Sequence, residues 1–263
     1  MLAHLWRYRG LIRQFTTRLL QQRYRGSYLG MLWPLLTPLF MLAVYTFVFA
    51  VVFRAHWTGA PTDSRTDFAL MLFAGLMAFN VFGESATAAP SLVVSNPNYV
   101  RKVVFPLEVL PVSQVLAAIV HSLFGLAVLV AAQALLTHRV SPTLWALPVV
   151  YLPLTLFTLG VAWFLSSLGV FVRDVGQIIG VAVQMLFFLT PIFYPAEAVP
   201  ASLRPWLAAN PLAFVVDWAR RTILLGSLPP LGEWVVVTAC TAAVCWLGYL
   251  WFMKSKPAFA DVL

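Results

Sequence analysis

The hydrophobic positions of this chain are gathered into long runs, and the polar positions are confined to short segments between them. A helix that crosses a bilayer needs about 20 mainly apolar residues. Six segments meet this requirement: residues 30–53, 68–89, 110–136, 144–171, 176–194 and 234–253. The pattern therefore predicts an all-α integral membrane protein, with six transmembrane helices in a single transmembrane domain over residues 1–263.

The composition supports this class of protein. Of the 263 residues, 61% are hydrophobic and 10% are charged, whereas soluble domains average roughly 45–50% and 25%. A soluble fold of this composition could not cover its surface with polar groups. The net charge of +8 does not indicate a nucleic-acid partner, because the cations lie in short segments between the apolar runs.

The distribution of Lys and Arg predicts the orientation of the helices. If the N-terminus is cytoplasmic, eleven of the 17 Lys and Arg residues fall on inner segments. Positive residues are enriched in cytoplasmic loops. Both termini are therefore predicted to be cytoplasmic, and the loop between the second and third spans faces the same side.

Residues 1–28 have the periodicity of an amphipathic interface helix. Apolar side chains recur at steps of three and four residues on one face, at Leu5, Tyr8, Ile12, Phe15 and Leu19. Such a helix is suited to the inner membrane surface. Two roles remain open for it, which are anchoring to anionic lipid headgroups and movement beside the first span.

The outer segment at residues 195–230 is long and only partly apolar. Asn210 and Pro211 divide it into two amphipathic pieces, and neither piece is long enough to cross a bilayer. We expect them to form short re-entrant or interfacial helices on the outer side, between the fifth and sixth spans.

The sequence lacks the patterns of common membrane enzymes and ATPases. It has no acidic cluster for magnesium, no metal spacing among its four histidines and no Walker A sequence. We therefore expect no covalent chemistry, no metal and no cofactor on this chain. Glu84 and His121 are the ionisable residues well within the predicted spans. For Glu84, a hydrogen bond to another helix is favoured over a proton relay.

Aromatic residues are concentrated in the first and fifth spans. The candidates for a channel lining are Tyr45, Phe49, Phe187, Phe188, Phe193 and Tyr194. Aromatic residues are also common at membrane interfaces and in helix packing. The alternative is a weakly charged passage in which rings stack on the apolar faces of sugars, and both interpretations stay open.

Six motifs along the chain together resemble one family. They are RYRGSYLGMLWPLLTPLFMLAVYTFVFAVVF at 23–53, SNPNYVRKVVFPLEVLP at 95–111, LGVFVRDVGQIIG at 168–180, FFLTPIFYP at 187–195, NPLAFVVDWARRTILLG at 210–226 and FADVL at 259–263. In this order they resemble the membrane subunit of type-2 ABC exporters for polysaccharides. The O-antigen and lipopolysaccharide export permeases are the most similar branch, and capsule and teichoic acid permeases are related.

The resemblance implies a homodimer in the bacterial inner membrane, driven by two copies of a separate cytoplasmic ATPase that binds ATP and magnesium. It implies a glycan cargo on a polyprenyl pyrophosphate lipid, with Arg23 and Arg25 as candidate pyrophosphate ligands. It also implies an outer gate at residues 195–230 that includes Arg220 and Arg221.

The same resemblance implies that residues 95–108 form a coupling helix that docks on the ATPase. Asn96 can cap a short helix, and Pro97 fits its first turn. The expected contacts with the ATPase are Asn96, Tyr99, Arg101, Lys102, Phe105 and Glu108. The alternative is a basic loop that only sets the topology.

Other classes of protein remain as alternatives at this stage. One is a type-2 ABC permease that exports a drug or a lipid. Another is a membrane enzyme of glycan-lipid assembly, and a third is a scaffold that neither stimulates nor requires ATP hydrolysis.

Overall fold

The computed structural model describes residues 1–24, 28–52, 65–100, 105–138 and 140–263, and within these ranges it is helical without a strand. The α-helices in chain order are α1 (Leu2–Arg7), α2 (Arg9–Tyr24), α3 (Trp33–Tyr45), α4 (Arg65–Val94), α5 (Pro97–Val100), α6 (Val109–Thr137), α7 (Leu147–Phe171), α8 (Val175–Leu189), α9 (Arg204–Ala208), α10 (Pro211–Arg220), α11 (Leu231–Ser255) and α12 (Phe259–Val262). A π-helical turn at Thr46–Val52 extends α3, and a second at Arg221–Leu225 extends α10.

Four helical stretches in the described ranges are long and apolar enough to cross a membrane: Asp67–Val94, Val109–Thr137, Pro142–Phe171 and Leu231–Val262. The shortest has 28 residues, which at about 1.5 Å per residue exceeds the roughly 30 Å of a bilayer core. The chain is therefore a multi-pass membrane protein. Two further apolar helices, Trp33–Phe49 and Val175–Leu189, are shorter, and they fall where the first and fifth spans were predicted.

Helix α4 forms the centre of the fold. It packs against α6 and α7, and also contacts α3, α8 and α10. Its small side chains Ala74, Ala78 and Ala89 have no exposed surface. Small residues let helices approach closely in membranes, where the hydrophobic effect does not drive association.

Helices α7 and α11 approach each other through two glycines. A Cβ atom at Gly160 would collide with the backbone of Val244, and one at Gly248 would collide with the backbone of Gly160. The two backbones are therefore in direct contact, as is typical of small-residue interfaces in membranes.

Helices α1 and α2 lie against the inner end of α6, as that end is defined by the predicted orientation. The apolar stripe faces inward, with Ile12 buried and Leu5, Tyr8 and Phe15 packed against the same cluster. The Thr16 hydroxyl donates to the Ser113 carbonyl, and the Ser113 hydroxyl donates to the Ile12 carbonyl, both at 3.4 Å. These bonds attach α2 to α6.

The outer segment contains two short helices, α9 and α10, which meet at Asn210. The Asn210 side chain accepts from the Leu212 amide at 3.0 Å and caps α10. It also donates to the Thr190 hydroxyl at 3.0 Å, which ties this segment to the end of α8. Trp218 is buried against the core.

Candidate functional site

A cavity of about 840 Å³ lies among α3, α4, α6 and α8. Along α4 its lining extends from Phe73 to Ala88, a distance of about 22 Å at the α-helical rise. Five aromatic side chains contribute to its wall, namely Tyr45, Phe73, Phe79, Phe187 and Phe188. Polar groups that can pair with hydroxyls lie between them, namely Thr37, Asn80, Thr87 and Gln184.

Three ionisable side chains meet at the part of this cavity nearest the C-terminal half of α4. Arg23 Nη1 lies 2.5 Å from Glu84 Oε1, and His121 Nδ1 lies 3.2 Å from Glu84 Oε2. Arg23 comes from the end of α2, Glu84 from α4 and His121 from α6. Glu84 thus forms the predicted hydrogen bonds with other helices, because its carboxylate accepts from Arg23 on α2 and pairs with His121 on α6. Arg25, the second pyrophosphate candidate, lies outside the described residues.

The six aromatic candidates for the channel lining do not share one position. Tyr45, Phe187 and Phe188 line the cavity. Phe49 instead stacks on Phe68 with ring centroids 5.4 Å apart.

The two remaining aromatic candidates follow the end of α8. Phe193 packs edge-on against Phe187 at 5.1 Å. The Tyr194 hydroxyl donates to the Phe188 carbonyl at 3.0 Å. Phe193 therefore supports the lining residue Phe187, and Tyr194 holds the chain that follows α8.

Sequence reasoning missed the polar lining of α4. Asn80, Glu84 and Thr87 all line the cavity. Their spacing of four and then three residues places them on one helical face. That spacing was a visible signal, because polar residues are rare within an apolar span.

The inner loop is helical only at Pro97–Val100 among its described residues. The predicted helix at 95–108 is therefore too long, since residues 105–108 lie outside any helix. The short helix begins at Pro97, directly after Asn96, where the sequence placed its start. The Asn96 side-chain amide donates to the Leu92 carbonyl at 2.9 Å. Arg101 and Lys102 lie outside the described residues.

Tyr99 and Phe105, two predicted ATPase contacts, form an aromatic cluster with α2. Their rings stack with centroids 4.5 Å apart, and Phe15 meets them at 5.6 and 5.7 Å. Arg18 Nη1 donates to the Tyr99 hydroxyl at 3.3 Å. Tyr99 and Phe105 remain only half-buried, so the cluster links the inner loop to α2 while it keeps some exposed surface.

Glu108 was predicted to contact the ATPase, and the structure contradicts this because the residue is only 1% exposed. His4 Nε2 lies 2.6 Å from its Oε1, and Lys256 Nζ lies 2.8 Å from its Oε2. Trp163 Nε1 donates to the Glu108 carbonyl at 3.1 Å. Burial raises the pKa of Glu108, but hydrogen bonds from Lys256 and His4 outweigh it, and the pKa lies below its usual value. Glu108 therefore joins α1, the start of α6 and the chain after α11.

Arg220 was predicted, with Arg221, to belong to the outer gate, and the structure buries it so that only 3% of the residue is exposed. Its guanidinium donates to the carbonyls of Met71, Pro191 and Ile192 at 2.8, 2.7 and 2.5 Å. A Cβ atom at Gly75 would lie 2.6 Å from the guanidinium, so the absence of a side chain there makes room for it. Burial lowers the pKa of Arg220 to about 10, and it stays protonated at neutral pH.

Arg221 remains available at the surface. Its Nε lies 2.7 Å from Asp217 Oδ2, and both side chains are about 40% exposed, at 43% and 39%. Both residues line a second cavity of about 340 Å³ that also includes Glu197, Arg204 and Glu233. Of the two predicted gate arginines, only Arg221 faces accessible space.

The long apolar helices and the lined cavity define a multi-pass membrane protein with an internal cavity. A family model matches this chain over residues 10–224. The chain belongs to the ABC-2 type transporter family.

Curated relatives cover nearly the whole chain. It is similar to two O-antigen export system permease proteins RfbA from Klebsiella pneumoniae, at 28% and 29% identity over 94% of this chain and 93% of each relative. It is also similar to the O-antigen export system permease protein RfbA from Myxococcus xanthus, at 27% identity over 99% of this chain and 98% of that protein.

Proposed function

We propose that this chain is the channel-forming permease subunit of an ABC transporter that exports lipid-linked polysaccharide of the O-antigen type. The observation that carries the proposal is the ring-lined cavity along α4, in a member of the ABC-2 type transporter family. The relatives named as O-antigen export permeases match over almost their full length, which supports this class of cargo.

The chemistry of the cavity suits a sugar chain. Sugars present apolar C–H faces that can stack on rings such as Phe187 and Phe79, and hydroxyls that can pair with Asn80 and Gln184. Most of the lining is uncharged, so a neutral glycan would be held by many weak contacts. Weak contacts allow successive sugar units to slide past without being trapped.

A second copy of the chain would complete the passage. Helices α3 and α8 border the cavity, yet they expose large apolar side chains, which include Phe40, Val181 and Met185. In this arrangement both short apolar helices cross the inner membrane, which gives six spans per copy and cytoplasmic termini. The passage would then lie between two copies.

Two copies of a cytoplasmic ATPase, which bind ATP and magnesium, would drive export through the inner loop. Arg101 and Lys102 are the proposed charged contacts on this loop. Movement of the loop would reach α2 through the contacts of Phe15 with Tyr99 and Phe105. We assign Arg23, at the end of α2, and Arg25, two positions later in the sequence, to the pyrophosphate of the lipid carrier.

The proposal is tested by purifying the tagged chain from its host in mild detergent. We expect a second polypeptide with a nucleotide-binding domain in near equal amount, with ATPase activity in the eluate. Reversal of charge by Arg101→Glu and Lys102→Glu should reduce recovery of that partner. The matched control is the reversal of Arg7 and Arg13, two exposed cations on α1 and α2.

Cargo is tested in a host strain deleted for this chain. The wild-type chain should restore surface polysaccharide, and the doubly reversed loop variant should not. A chain that purifies alone without ATPase activity, or one that restores drug or phospholipid export but no surface polysaccharide, would contradict the proposal.

A further inference from the structure

The cluster of Arg23, Glu84 and His121 places three ionisable side chains beside a cavity among apolar helices. Ionisable groups within membrane helices are costly, and they mark functional sites by default. Here all three line the large cavity. Arg23 and Glu84 also line a neighbouring cavity of about 330 Å³, which reaches Gln22 and Gln114. The Arg23–Glu84 pair therefore stands between two open spaces.

Each partner of Glu84 uses a different carboxylate oxygen. Arg23 contacts Oε1 and His121 contacts Oε2, so one partner can leave while the other remains. The Arg23 side chain is 42% exposed, whereas those of Glu84 and His121 are 25% and 22% exposed. Arg23 is thus the more accessible member, and a guanidinium has donors beyond the one that faces Glu84.

We propose that Glu84 and His121 form a displaceable counter-ion that holds Arg23 while the site is empty, and that the pyrophosphate of the lipid carrier takes Arg23 over from Glu84. This inference rests on the proposed function, which supplies the pyrophosphate. After the exchange, His121 keeps its hydrogen bond to Glu84 Oε2, and the carboxylate retains a partner inside the membrane.

The charges explain why a pyrophosphate is the ligand that fits. Glu84 has the same sign as the ligand, so an incoming anion must compete with it for Arg23. A pyrophosphate has more charge and more acceptor oxygens than a carboxylate, and Arg can bind phosphate through two parallel N–H donors. A phospholipid phosphodiester has one negative charge, the same as Glu84, so it has no advantage in charge when it competes for Arg23. Competition also keeps binding weak enough for the ligand to leave.

The test is a cycle of variants in the permease–ATPase complex, reconstituted in phosphatidylcholine nanodiscs. The probe is radiolabelled undecaprenyl pyrophosphate, and its Kd is measured. Glu84→Gln should tighten binding about tenfold, because the competing charge is lost while the side-chain shape is kept. Arg23→Gln should weaken binding about tenfold, and the double variant should behave like Arg23→Gln. Glu84→Asp keeps the charge and should stay within about twofold of wild type.

Different failures identify different errors. If Arg23→Gln weakens binding but Glu84→Gln does not tighten it, Arg23 is a pyrophosphate ligand and the counter-ion role is wrong. If neither change alters binding, the assignment of Arg23 under the proposed function is wrong as well. If added phosphatidylglycerol displaces the probe in Glu84→Gln at equal concentration, the site accepts any lipid phosphate and the assignment to pyrophosphate fails.

A second measurement covers the case in which Glu84→Gln does not assemble. The wild-type complex is photo-crosslinked to a diazirine-bearing polyprenyl pyrophosphate, and the labelled peptides are mapped by mass spectrometry. Labels at the end of α2 and on α4 near Glu84 are expected. Labels confined to other helices would overturn the proposal.

Discussion

The charge cluster at Glu108 gives a prediction whose size follows from the burial of its members. Glu108 is 1% exposed, whereas the side chains of Lys256 and His4 are 27% and 42% exposed. A buried charge that loses its partner cannot be solvated in place, but a half-exposed cation can turn to water. Removal of the lysine should therefore lower the free energy of unfolding more than removal of the carboxylate charge does.

The expected magnitudes differ between the two changes. Lys256→Met leaves the Glu108 carboxylate buried with His4, and we expect a loss of about 2 kcal/mol, less than the roughly 3–5 kcal/mol typical when a buried charge is left alone. Glu108→Gln should cost about 1 kcal/mol. The double variant Glu108→Gln/Lys256→Met leaves no buried carboxylate. Its loss of unfolding free energy should therefore be about 1 kcal/mol smaller than the sum of the losses of the two single variants.

The assay is thermal unfolding of the purified protein in one detergent. A loss of 1 kcal/mol corresponds to a decrease in Tm of about 2–4 °C for a chain of about this size. Lys254→Met is the matched control, because Lys254 is exposed two positions earlier on α11 and should change stability by no more than about 0.5 kcal/mol. Equal effects of the Lys254 and Lys256 changes, or strictly additive losses, would refute the reasoning.

Three further predictions concern other contacts. The folded-state pKa of Glu108 is lowered, so its contribution to stability is present above the ordinary Glu value of about 4.3 and is lost as pH falls through the folded pKa. The Tm difference between wild type and Glu108→Gln should therefore shrink on acidification, and a constant difference would contradict this. Arg220→Met leaves three buried carbonyls without their donor and should cost at least about 3 kcal/mol, whereas Arg221→Gln should cost at most about 1 kcal/mol. Equal thermal shifts for the two arginines would count against the buried role of Arg220. Phe15→Ala removes the ring through which α2 contacts Tyr99. We expect it to reduce the amount of polysaccharide exported per ATP hydrolysed, and to have a smaller effect on how much ATPase subunit is recovered with the chain. An unchanged amount exported per ATP would argue against a link between the inner loop and α2.

Sequence periodicity was sufficient to locate the helices, because each apolar run had to satisfy its backbone hydrogen bonds internally. The predicted segment at 110–136 lies within Val109–Thr137, and that at 234–253 lies within Leu231–Ser255. The split of the outer segment at Asn210 was also visible, since an Asn–Pro pair favours a helix start.

The same reasoning failed for side chains whose partners are distant in sequence. Glu108 and Arg220 were given their roles, contact with the ATPase and membership of the outer gate, by the resemblance to the family, and nothing in the local sequence indicated that either is buried. Glu108 is instead paired with Lys256, 148 positions away, and Arg220 reaches the Met71 carbonyl 149 positions away. Such partners depend on how helices pack, and local patterns do not specify that packing.

The arrangement around Glu108 has a consequence for the order of biogenesis. The carboxylate and Lys256 are separated by 148 positions, so at about 5–20 residues per second the ribosome reaches the lysine roughly 7–30 s after Glu108. During that interval the Glu108 carboxylate has His4 as a side-chain partner but lacks Lys256. In a nascent chain the contacts at this end of the helix bundle are therefore completed only after α11 and the residues that follow it have been made.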